Sequence, residues 1–250
     1  MEDPSLWIYA ALIAVAFVAG AIDAIAGGGG LLVLPALLLA GIPPLEALAT
    51  NKIQGLFGTG SATLTFARKG LLDLKTEFPY AIACFIGSVI GAILATRLPT
   101  EFLRMMMPIV LIAIAIYFLF QKNLSDEDRK SYVSPFLMGF MVLPMVGFYD
   151  GIFGPGAGSF YMLALVSLGG FGILKATART KFMNFASNVG GAVSFAIAGA
   201  VIWPIGLAMA FGQVLGANIG AKLAINNGAK LIRPLLVVMC IALAIKLLVQ

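Results

Sequence analysis

Apolar residues form long runs along the chain, and each run is interrupted by glycine, proline or a few charged residues. No stretch alternates polar and apolar residues over the length of a strand, so a β-barrel is disfavoured. A helix needs about 20 apolar residues to cross a bilayer. The pattern predicts ten membrane segments, at 6–26, 31–42, 46–66, 74–98, 103–120, 136–153, 159–170, 176–198, 205–225 and 231–249.

Two of these segments, 31–42 and 159–170, are too short to cross a bilayer. A helix of this length spans about 18 Å, at about 1.5 Å per residue. Each short segment follows a glycine cluster, at 27–30 or at 154–158. We therefore expect each to be a half-helix, or to depend on a glycine loop that dips into the membrane.

The second part of the chain repeats the order of the first. A lone aspartate precedes each glycine cluster, and Asp23 and Asp150 align at an offset of 127 residues. The offset changes to 129 and 125 in later segments, which small loop changes explain. Because each repeat has an odd number of segments, the second must enter the membrane in the opposite sense. The predicted domains are a first transmembrane repeat at 1–121, a cytoplasmic linker at 122–134 and a second transmembrane repeat at 135–250.

Composition agrees with an all-α polytopic membrane protein. Hydrophobic residues make up 61% of the chain and charged residues 11%, whereas soluble domains carry about 25% charged residues. With the first residue outside, ten of the 16 basic residues fall in cytoplasmic loops and two, Arg97 and Arg104, in external loops. Basic residues favour the cytoplasmic side, so both termini are expected outside. Topology thus explains the net charge of +5, and no nucleic-acid partner is expected.

The absence of histidine from the sequence restricts its chemistry. A histidine-based triad, a histidine-ligated metal and a histidine proton relay are excluded, and no metal or cofactor is expected. The glycine run at 27–30 lacks the Lys-Ser/Thr sequence of a nucleotide-binding loop. Tyr149 and Asp150 are similar to an element of intramembrane aspartyl proteases, but Asp23 lacks the Gly-x-Gly-Asp context of the second carboxylate. This protease is a third alternative, and the chain is not expected to be an enzyme.

The glycine clusters are candidates for anion binding. A helix that begins at a glycine loop offers free backbone N–H groups and the positive end of its dipole. Inversion of the repeats would bring both loops towards a common midplane. Other glycines, spaced by four residues at 87 and 91 and at 212, 216 and 220, are expected to let helices pack closely. The predicted ligands are Gly28, Gly29 and Gly30 in the first loop and Gly154, Gly156 and Gly158 in the second.

Two longer segments place polar residues on one helical face. Positions 52, 55 and 59, and their repeat counterparts 181, 184 and 188, follow the spacing i, i+3, i+7. A buried lysine beside amide groups suits an oxyanion held by hydrogen bonds. The alternative is that each lysine extends to the membrane interface. The substrate-binding residues predicted here are Asn51, Lys52, Gln54, Thr180, Lys181, Asn184 and Asn188.

The lone aspartates are predicted to act in coupling or gating. In the expected topology Asp23 lies with Lys181 towards the cytoplasm, and Asp150 lies with Lys52 towards the outside. We therefore predict two contacts between the repeats that alternate as gates. Because the sequence has no histidine, proton coupling would use one of these carboxylates.

Four motifs follow one another along the chain, and the first is Ala26-Gly-Gly-Gly-Gly-Leu31. The others are Ala49-Thr-Asn-Lys52, Phe148-Tyr-Asp-Gly151 with Phe153-Gly-Pro-Gly-Ala-Gly158, and Thr180-Lys-Phe-Met-Asn-Phe-Ala-Ser-Asn188. Together they resemble the TauE/SafE family of membrane transporters, through nearly the whole chain. The resemblance implies a secondary transporter of the bacterial inner membrane, driven by an ion gradient. Its substrates would be small sulfur-containing anions such as sulfite, sulfoacetate and other organosulfonates.

Alternating access is the mechanism expected of such a transporter. An anion channel that shares the pore but lacks coupling is the alternative. The resemblance does not fix the substrate among these anions. The expected partners are the lipid bilayer, a small anion and a coupling ion, either a proton or sodium, and a homodimer is left open as the assembly.

Overall fold

The structure, a computed structural model, describes residues 6–99, 101, 102, 105, 109, 127–228 and 230–231. No strand occurs among these residues. The helices with described bounds are α1 (Leu6–Ala26), α2 (Gly30–Leu39), α3 (Pro44–Arg68), α4 (Leu74–Arg97), α5 (Pro135–Ile152), α6 (Ala157–Ser167), α7 (Ile173–Ile197) and α8 (Trp203–Asn227). They agree with eight predicted segments to within three residues at each end. The other two, 103–120 and 231–249, lie outside the described residues apart from single positions.

Local sequence explains where several helices begin. Pro44 is the first residue of α3, a position where a missing N–H costs no hydrogen bond. Asp73 caps α4 by accepting a hydrogen bond from Lys75 N at 3.1 Å, and the Thr76 hydroxyl lowers the pKa of the Asp73 carboxyl. Ser134 caps α5 in the same way. Capping residues thus fix helix starts that hydrophobicity alone leaves uncertain.

Four helices, α1, α4, α5 and α8, are long and apolar enough to cross a membrane. The apolar helices α2 and α6 have only 10 and 11 residues, as predicted for the segments after the glycine clusters. Helices α3 and α7 have 25 residues each, but polar side chains make them less apolar. The chain is therefore an all-helical, multi-pass membrane protein. Twelve buried polar side chains lie in these two helices: Thr50, Asn51, Lys52, Gln54, Thr59, Thr63, Thr177, Thr180, Lys181, Asn184, Ser187 and Asn188.

Large apolar side chains are exposed on α4 and α8. Along each helix they recur every four residues, which places them on one face. Soluble proteins rarely expose apolar stripes of this length, whereas lipid acyl chains are suitable neighbours for them. The exposed positions with this spacing are Leu74, Phe78, Ile82, Ile86, Ile90 and Leu94 on α4 and Trp203, Leu207, Phe211, Leu215, Ile219 and Leu223 on α8.

Glycines bring two pairs of helices into backbone contact. A Cβ atom on Gly216 of α8 would overlap the carbonyl oxygen of Phe17 in α1. A Cβ atom on Gly91 of α4 would overlap the carbonyl oxygen of Phe148 in α5. The glycines at 87, 212 and 220 make similarly close approaches. The prediction that these glycines serve helix packing is confirmed.

The helices of the two halves interlock. Helix α1 packs on α8, and its counterpart α5 packs on α4. Helix α3 packs on α8, its counterpart α7 packs on α4, and α3 and α7 also contact each other. Each of these pairings joins the first half of the chain to the second. The two halves therefore share one polar interior, which is built mainly from α3 and α7.

Candidate functional site

The two glycine loops, between α1 and α2 and between α5 and α6, touch each other. Ser159 N–H donates to Gly27 O at 3.1 Å, and the Ser159 hydroxyl donates to Ala26 O at 2.8 Å. Gly27 has a φ of +80°, a conformation that glycine adopts without strain. A Cβ atom on Gly158 would lie 2.7 Å from Gly27 O. A side chain at either glycine would therefore push the loops apart.

A polar cavity lies between these loops and helices α3, α7 and α8. Its wall consists of glycines and polar side chains, and no apolar side chain among the described residues contributes to it. Pockets for small organic molecules are usually apolar, so this wall suits a small hydrophilic solute. The glycines are Gly27, Gly30, Gly55, Gly154, Gly156 and Gly158, and the polar residues are Asp23, Asn51, Gln54, Thr59, Asp150, Asn184, Asn188 and Gln213.

Two asparagines of the wall have their amide oxygens engaged along their own helices. The Asn51 oxygen accepts a hydrogen bond from Gln54 Nε2 at 2.8 Å, and the Asn184 oxygen accepts one from Asn188 Nδ2 at 3.3 Å. The amide nitrogen of each asparagine therefore points away from that contact. Neither nitrogen donates a hydrogen bond within the described part of the chain. The cavity thus has one free amide donor from each half.

Backbone N–H groups add to these donors. Gly30 and Gly158 line the cavity at the N-terminal ends of α2 and α6, and their N–H groups have no partner among residues 6–99 and 127–228. Asn51 Nδ2 lies 3.6 Å from the point where a Cβ atom on Gly30 would stand. Asn184 Nδ2 lies 3.0 Å from the equivalent point on Gly158. Helix N-termini also carry the positive end of the helix dipole. An amide donor and a helix N-terminus therefore converge in each half.

Lys52 of α3 forms a buried ion pair with Asp150 of α5. Its Nζ is 2.6 Å from Asp150 Oδ1, and the two side chains are 1% and 2% exposed. The second carboxylate oxygen accepts a hydrogen bond from the Ser187 hydroxyl of α7. Among the described residues, Asp150 therefore supplies the counter-charge of Lys52.

Lys181 of α7 contacts Asp23 of α1 in a different way. Its Nζ is 3.3 Å from Asp23 Oδ2 and also donates to the Asp23 backbone carbonyl oxygen. The other carboxylate oxygen accepts a hydrogen bond from Gly29 N–H at 3.2 Å. The Asp23 side chain is 10% exposed. This lysine therefore binds the C-terminal end of α1 as well as its carboxylate.

Both lysine–aspartate contacts predicted from the repeat are present, while their role as gates stays a prediction. The lysines do not reach the cavity: Lys52 and Lys181 lie behind the wall, and only their aspartates line it. Each lysine ends at a carboxylate instead of the membrane interface, because an unpaired buried charge is unfavourable. Thr180, Gly28 and Gly29 also lie off the wall, and the other ten predicted site residues line it.

The predicted site omits four residues of the wall, Gly27, Gly55, Thr59 and Gln213. Gly55 and Thr59 lie on the same helical face as Lys52, so the i, i+3, i+7 spacing already pointed to them. Gln213 is an amide in a largely apolar membrane segment, and such residues often serve function. That isolated polar position is the signal that could have identified it.

Two further ion pairs lie near the start of α7, away from the cavity. Arg179 Nη2 is 2.7 Å from Glu77 Oε1, with side chains 16% and 8% exposed. Lys175 Nζ is 2.8 Å from Asp128 Oδ2, and both of these side chains are about half exposed. Asp128 also accepts a hydrogen bond from Gly172 N–H at 2.7 Å. These contacts join α7 to α4 and to the linker.

Comparison with known proteins places these features in a family. The family model described as Sulfite exporter TauE/SafE matches residues 12–247. Probable membrane transporter protein ORF9 of Sinorhizobium sp is 54% identical over 99% of this chain and 95% of its own length. A probable membrane transporter protein of Haemophilus influenzae is 45% identical over 98% of this chain and 96% of its own. Probable membrane transporter protein YfcA of Escherichia coli strain K12 is 46% identical over 94% and 87%. No solved structure matches the chain significantly.

Proposed function

Since the chain belongs to the sulfite exporter TauE/SafE family of membrane transporters, we propose that it is a secondary transporter that moves a small sulfur-containing anion by alternating access. The proposed substrates are sulfite and organosulfonates. The main support is the cavity wall, which has free N–H donors from both halves. No apolar side chain among the described residues contributes to this wall.

The donors suit an oxyanion. Sulfite and sulfonate groups have several oxygens that can accept hydrogen bonds from converging N–H groups. Asn51 and Asn184 supply such groups next to the N-terminal ends of the short helices. Lys52 and Lys181 add positive charge behind the wall, where aspartates balance it. Uncharged hydrogen-bond donors on the cavity wall favour anion binding that is specific but readily reversed, as transport requires.

The proposed topology is an inverted repeat in the cell inner membrane, with both termini outside. The repeats are 1–121 and 135–250, with five membrane segments each, joined by the cytoplasmic linker 122–134. Basic residues in the predicted cytoplasmic loops support this arrangement. So does the pairing of helices between the halves, since α1 with α8 corresponds to α5 with α4. The two short helices also bring their N-terminal ends to one cavity, as inverted repeats do.

The two lysine–aspartate pairs are proposed to be the gates. In this topology the pair of Lys52 lies towards the outside and the pair of Lys181 towards the cytoplasm. Each pair joins a helix of one half to a helix of the other. Rocking of one half against the other would therefore separate one pair while the other stays closed.

Anion binding to the purified protein tests the proposal. Sulfite, sulfate, thiosulfate, an alkanesulfonate and acetate are titrated in turn, and we expect saturable binding of at least one sulfur anion and none of acetate. Asn184→Leu should weaken binding about tenfold or more, because a hydrogen bond to a charged group contributes about 1.5–3 kcal/mol. Asn218→Leu is the matched control, since Asn218 bonds Thr65 away from the cavity. No binding of any sulfur anion, or unchanged binding in Asn184→Leu, would contradict the proposal.

Transport by reconstituted protein separates a carrier from a channel. Uptake of labelled sulfite is compared in vesicles that contain unlabelled sulfite and in empty vesicles. A carrier is stimulated by substrate on the far side, whereas a channel is not. The protease alternative finds no support, because Asp23 and Asp150 each face a lysine and such enzymes need two facing carboxylates.

A further inference from the structure

Two buried glutamine oxygens on the cavity wall have no hydrogen-bond partner. Gln54 and Gln213 are each 1–2% exposed, and Oε1 of each accepts no hydrogen bond from the described residues. Gln54 uses its amide nitrogen to hold Asn51, so its oxygen points away from that contact. A buried carbonyl oxygen without a partner is unfavourable unless a ligand or an ordered water meets it. The wall therefore contains unused acceptors as well as donors.

Gln213 reaches the wall from α8 by lying against α3. A Cβ atom on Gly58 would stand 2.8 Å from Gln213 Nε2, so the missing side chain makes room for the amide. Gly58 follows Gln54 by four residues, so Gln213 of α8 packs against the face of α3 that carries Gln54. The Thr59 hydroxyl also lines the wall. It donates to Gly55 O at 2.7 Å and accepts from Asn188 Nδ2 at 3.5 Å, which leaves one oxygen lone pair for a ligand. Gln54 and Thr59 of α3 and Gln213 of α8 thus contribute side-chain oxygens to the wall.

The corresponding place in the other half lacks both glutamines. In the repeat alignment Ser88 corresponds to Gln213, and Ser187 corresponds to Gly58. The Ser88 hydroxyl donates to Ser187 O at 2.6 Å. Two small, hydrogen-bonded residues therefore occupy the space that the glutamine fills on the other side. The two glutamine oxygens are therefore found where α3 meets α8.

We propose that Gln54, Thr59 and Gln213 bind a sodium ion beside the anion cavity, and that this ion is the coupling cation of the transporter. Hard cations take carbonyl and hydroxyl oxygens as ligands. A sodium ion would satisfy both glutamine oxygens at once, and the surrounding burial limits competition from water. The ion can bind without the anion, whereas its coupling role rests on the function proposed above.

Charge balance favours joint binding of the ion and the anion. The buried pairs contribute two positive and two negative charges around the cavity, from Lys52, Lys181, Asp23 and Asp150. An anion alone makes the filled cavity negative, and a sodium ion next to it offsets that charge. Each ligand then raises the affinity for the other, by about 5–150-fold for coupling of ordinary size.

Sodium binding without any anion tests the site alone. Binding of radioactive sodium is measured on the purified protein, on Gln213→Met and on Gln213→Glu. The first variant removes the ligand oxygen at similar side-chain length, and the second keeps oxygen ligands. Gln213→Met should lose about 10–100-fold in sodium affinity, while Gln213→Glu should retain binding. No sodium binding by the unaltered protein, or equal binding by Gln213→Met, overturns the proposal.

Further variants distinguish a lost ligand from a disturbed fold. Thr59→Val keeps the side-chain shape without the hydroxyl and should also weaken sodium binding, whereas Thr59→Ser should not. Asn218→Leu, on the same helix as Gln213 but off the cavity wall, should bind sodium like the unaltered protein. Equal weakening in all of these variants would trace the effect to the fold and overturn the assignment.

Sulfite titrations in sodium chloride and in choline chloride test the coupling. Sulfite should bind about 5–150-fold more tightly in sodium, and Gln213→Met should remove the difference. Equal sulfite affinity in both salts overturns the coupling role and leaves the proposed function standing. Sodium binding without binding of any sulfur anion supports the cation site and removes the proposed function.

Discussion

The two buried lysine–aspartate pairs occupy corresponding places in the two halves, yet they differ in how closely they are held. Lys52 Nζ is 2.6 Å from the Asp150 carboxylate, which is 2% exposed. Lys181 Nζ is 3.3 Å from the Asp23 carboxylate, which is 10% exposed, and it also binds the backbone of Asp23. The first lysine depends on one side chain, whereas the second is shared between a side chain and a helix end.

Small residues around the pairs account for this difference. Ser187 of α7 donates its hydroxyl to Asp150, while the corresponding residue of α3 is Gly58, which has no such group. Gly191 leaves room for the stem of Lys52, because a Cβ atom there would lie 3.0 Å from Lys52 Cδ. Similar lysine and aspartate motifs in the two halves therefore need not form ion pairs of the same geometry. If the pairs are gates, the gate at Lys52 is the firmer one in this conformation.

The largest effect is expected from Lys52→Met. Asp150 would stay buried without a counter-charge, and breaking a buried pair in this way costs about 3–5 kcal/mol. We expect a large fall in the thermal unfolding midpoint and a loss of anion transport. Unfolding in detergent and uptake into proteoliposomes measure the two effects.

A double variant separates stability from function at this pair. Lys52→Met combined with Asp150→Leu replaces both charges by apolar groups, which should restore most of the stability. Transport should not return, because the gate would have lost its charges. Transport at the unaltered rate would show that the pair only stabilises the fold.

Lys181→Met should lower the free energy of unfolding less than Lys52→Met does, by about 2–4 kcal/mol. This range lies between the cost of a lost hydrogen bond to a charged group and the cost of a broken buried ion pair. Asp23 keeps its hydrogen bond from Gly29 N–H and some contact with solvent. The same unfolding and uptake assays apply. A loss of stability equal to that of Lys52→Met would break the distinction between the two pairs.

Ser187→Ala should make the Asp150 pair more similar to the Asp23 pair. Removal of the hydroxyl costs about 1–2 kcal/mol, because one carboxylate oxygen loses its hydrogen bond. Ser194→Ala is the control on the same helix, since the Ser194 hydroxyl donates to the backbone oxygen of Gly190. An unfolding midpoint that falls equally in both variants would show that Ser187 contributes nothing particular to the pair.

The smallest effect is expected at the exposed pair of Asp128 and Lys175. The hydrogen bond from Gly172 N–H, helped by Lys175, lowers the pKa of the Asp128 carboxyl. A lowered pKa means that this carboxylate stabilises the fold above the pKa of unfolded aspartate, about 3.9, and that the stabilisation is lost as the pH falls through the folded pKa. Asp128→Asn should therefore cost less than about 1 kcal/mol near neutral pH and nothing in acid.

Unfolding midpoints of Asp128→Asn and the unaltered protein, measured from neutral pH into acid, check this expectation. The two curves should converge as the pH falls. High salt should reduce the difference at neutral pH, because exposed ion pairs are screened. A loss as large as that of Ser187→Ala would mean that exposure does not separate this pair from the buried ones.

The helices were predictable because their signals are local. Long apolar runs, proline at helix starts and glycine at turns fix their bounds, so the segment 6–26 is found unchanged as α1. The short helices after the glycine clusters and the glycines at helix crossings were also predictable. Each of these features depends on residues within one or two turns of one another.

The site was predictable only in part because it depends on distant packing. Spacing along α3 and α7 identified the polar faces, and the repeat identified which lysine meets which aspartate. Spacing does not reveal that Gln54 turns the amide of Asn51. Nor does it reveal that Gln213 enters the wall through the space beside Gly58. These contacts join segments far apart in the sequence, and no local pattern records them.

The crossing of the glycine loops bears on how such a chain can evolve. A Cβ atom on Gly158 would lie 2.7 Å from Gly27 O, so a substitution in one half damages the other. Corresponding positions of the two halves are free to differ where they do not touch, as Ser88 and Gln213 illustrate. Where the glycine loops touch, the two halves are not free to differ, because each loop limits the substitutions that the other can accept. The two loops are therefore expected to change together in evolution, and not one at a time.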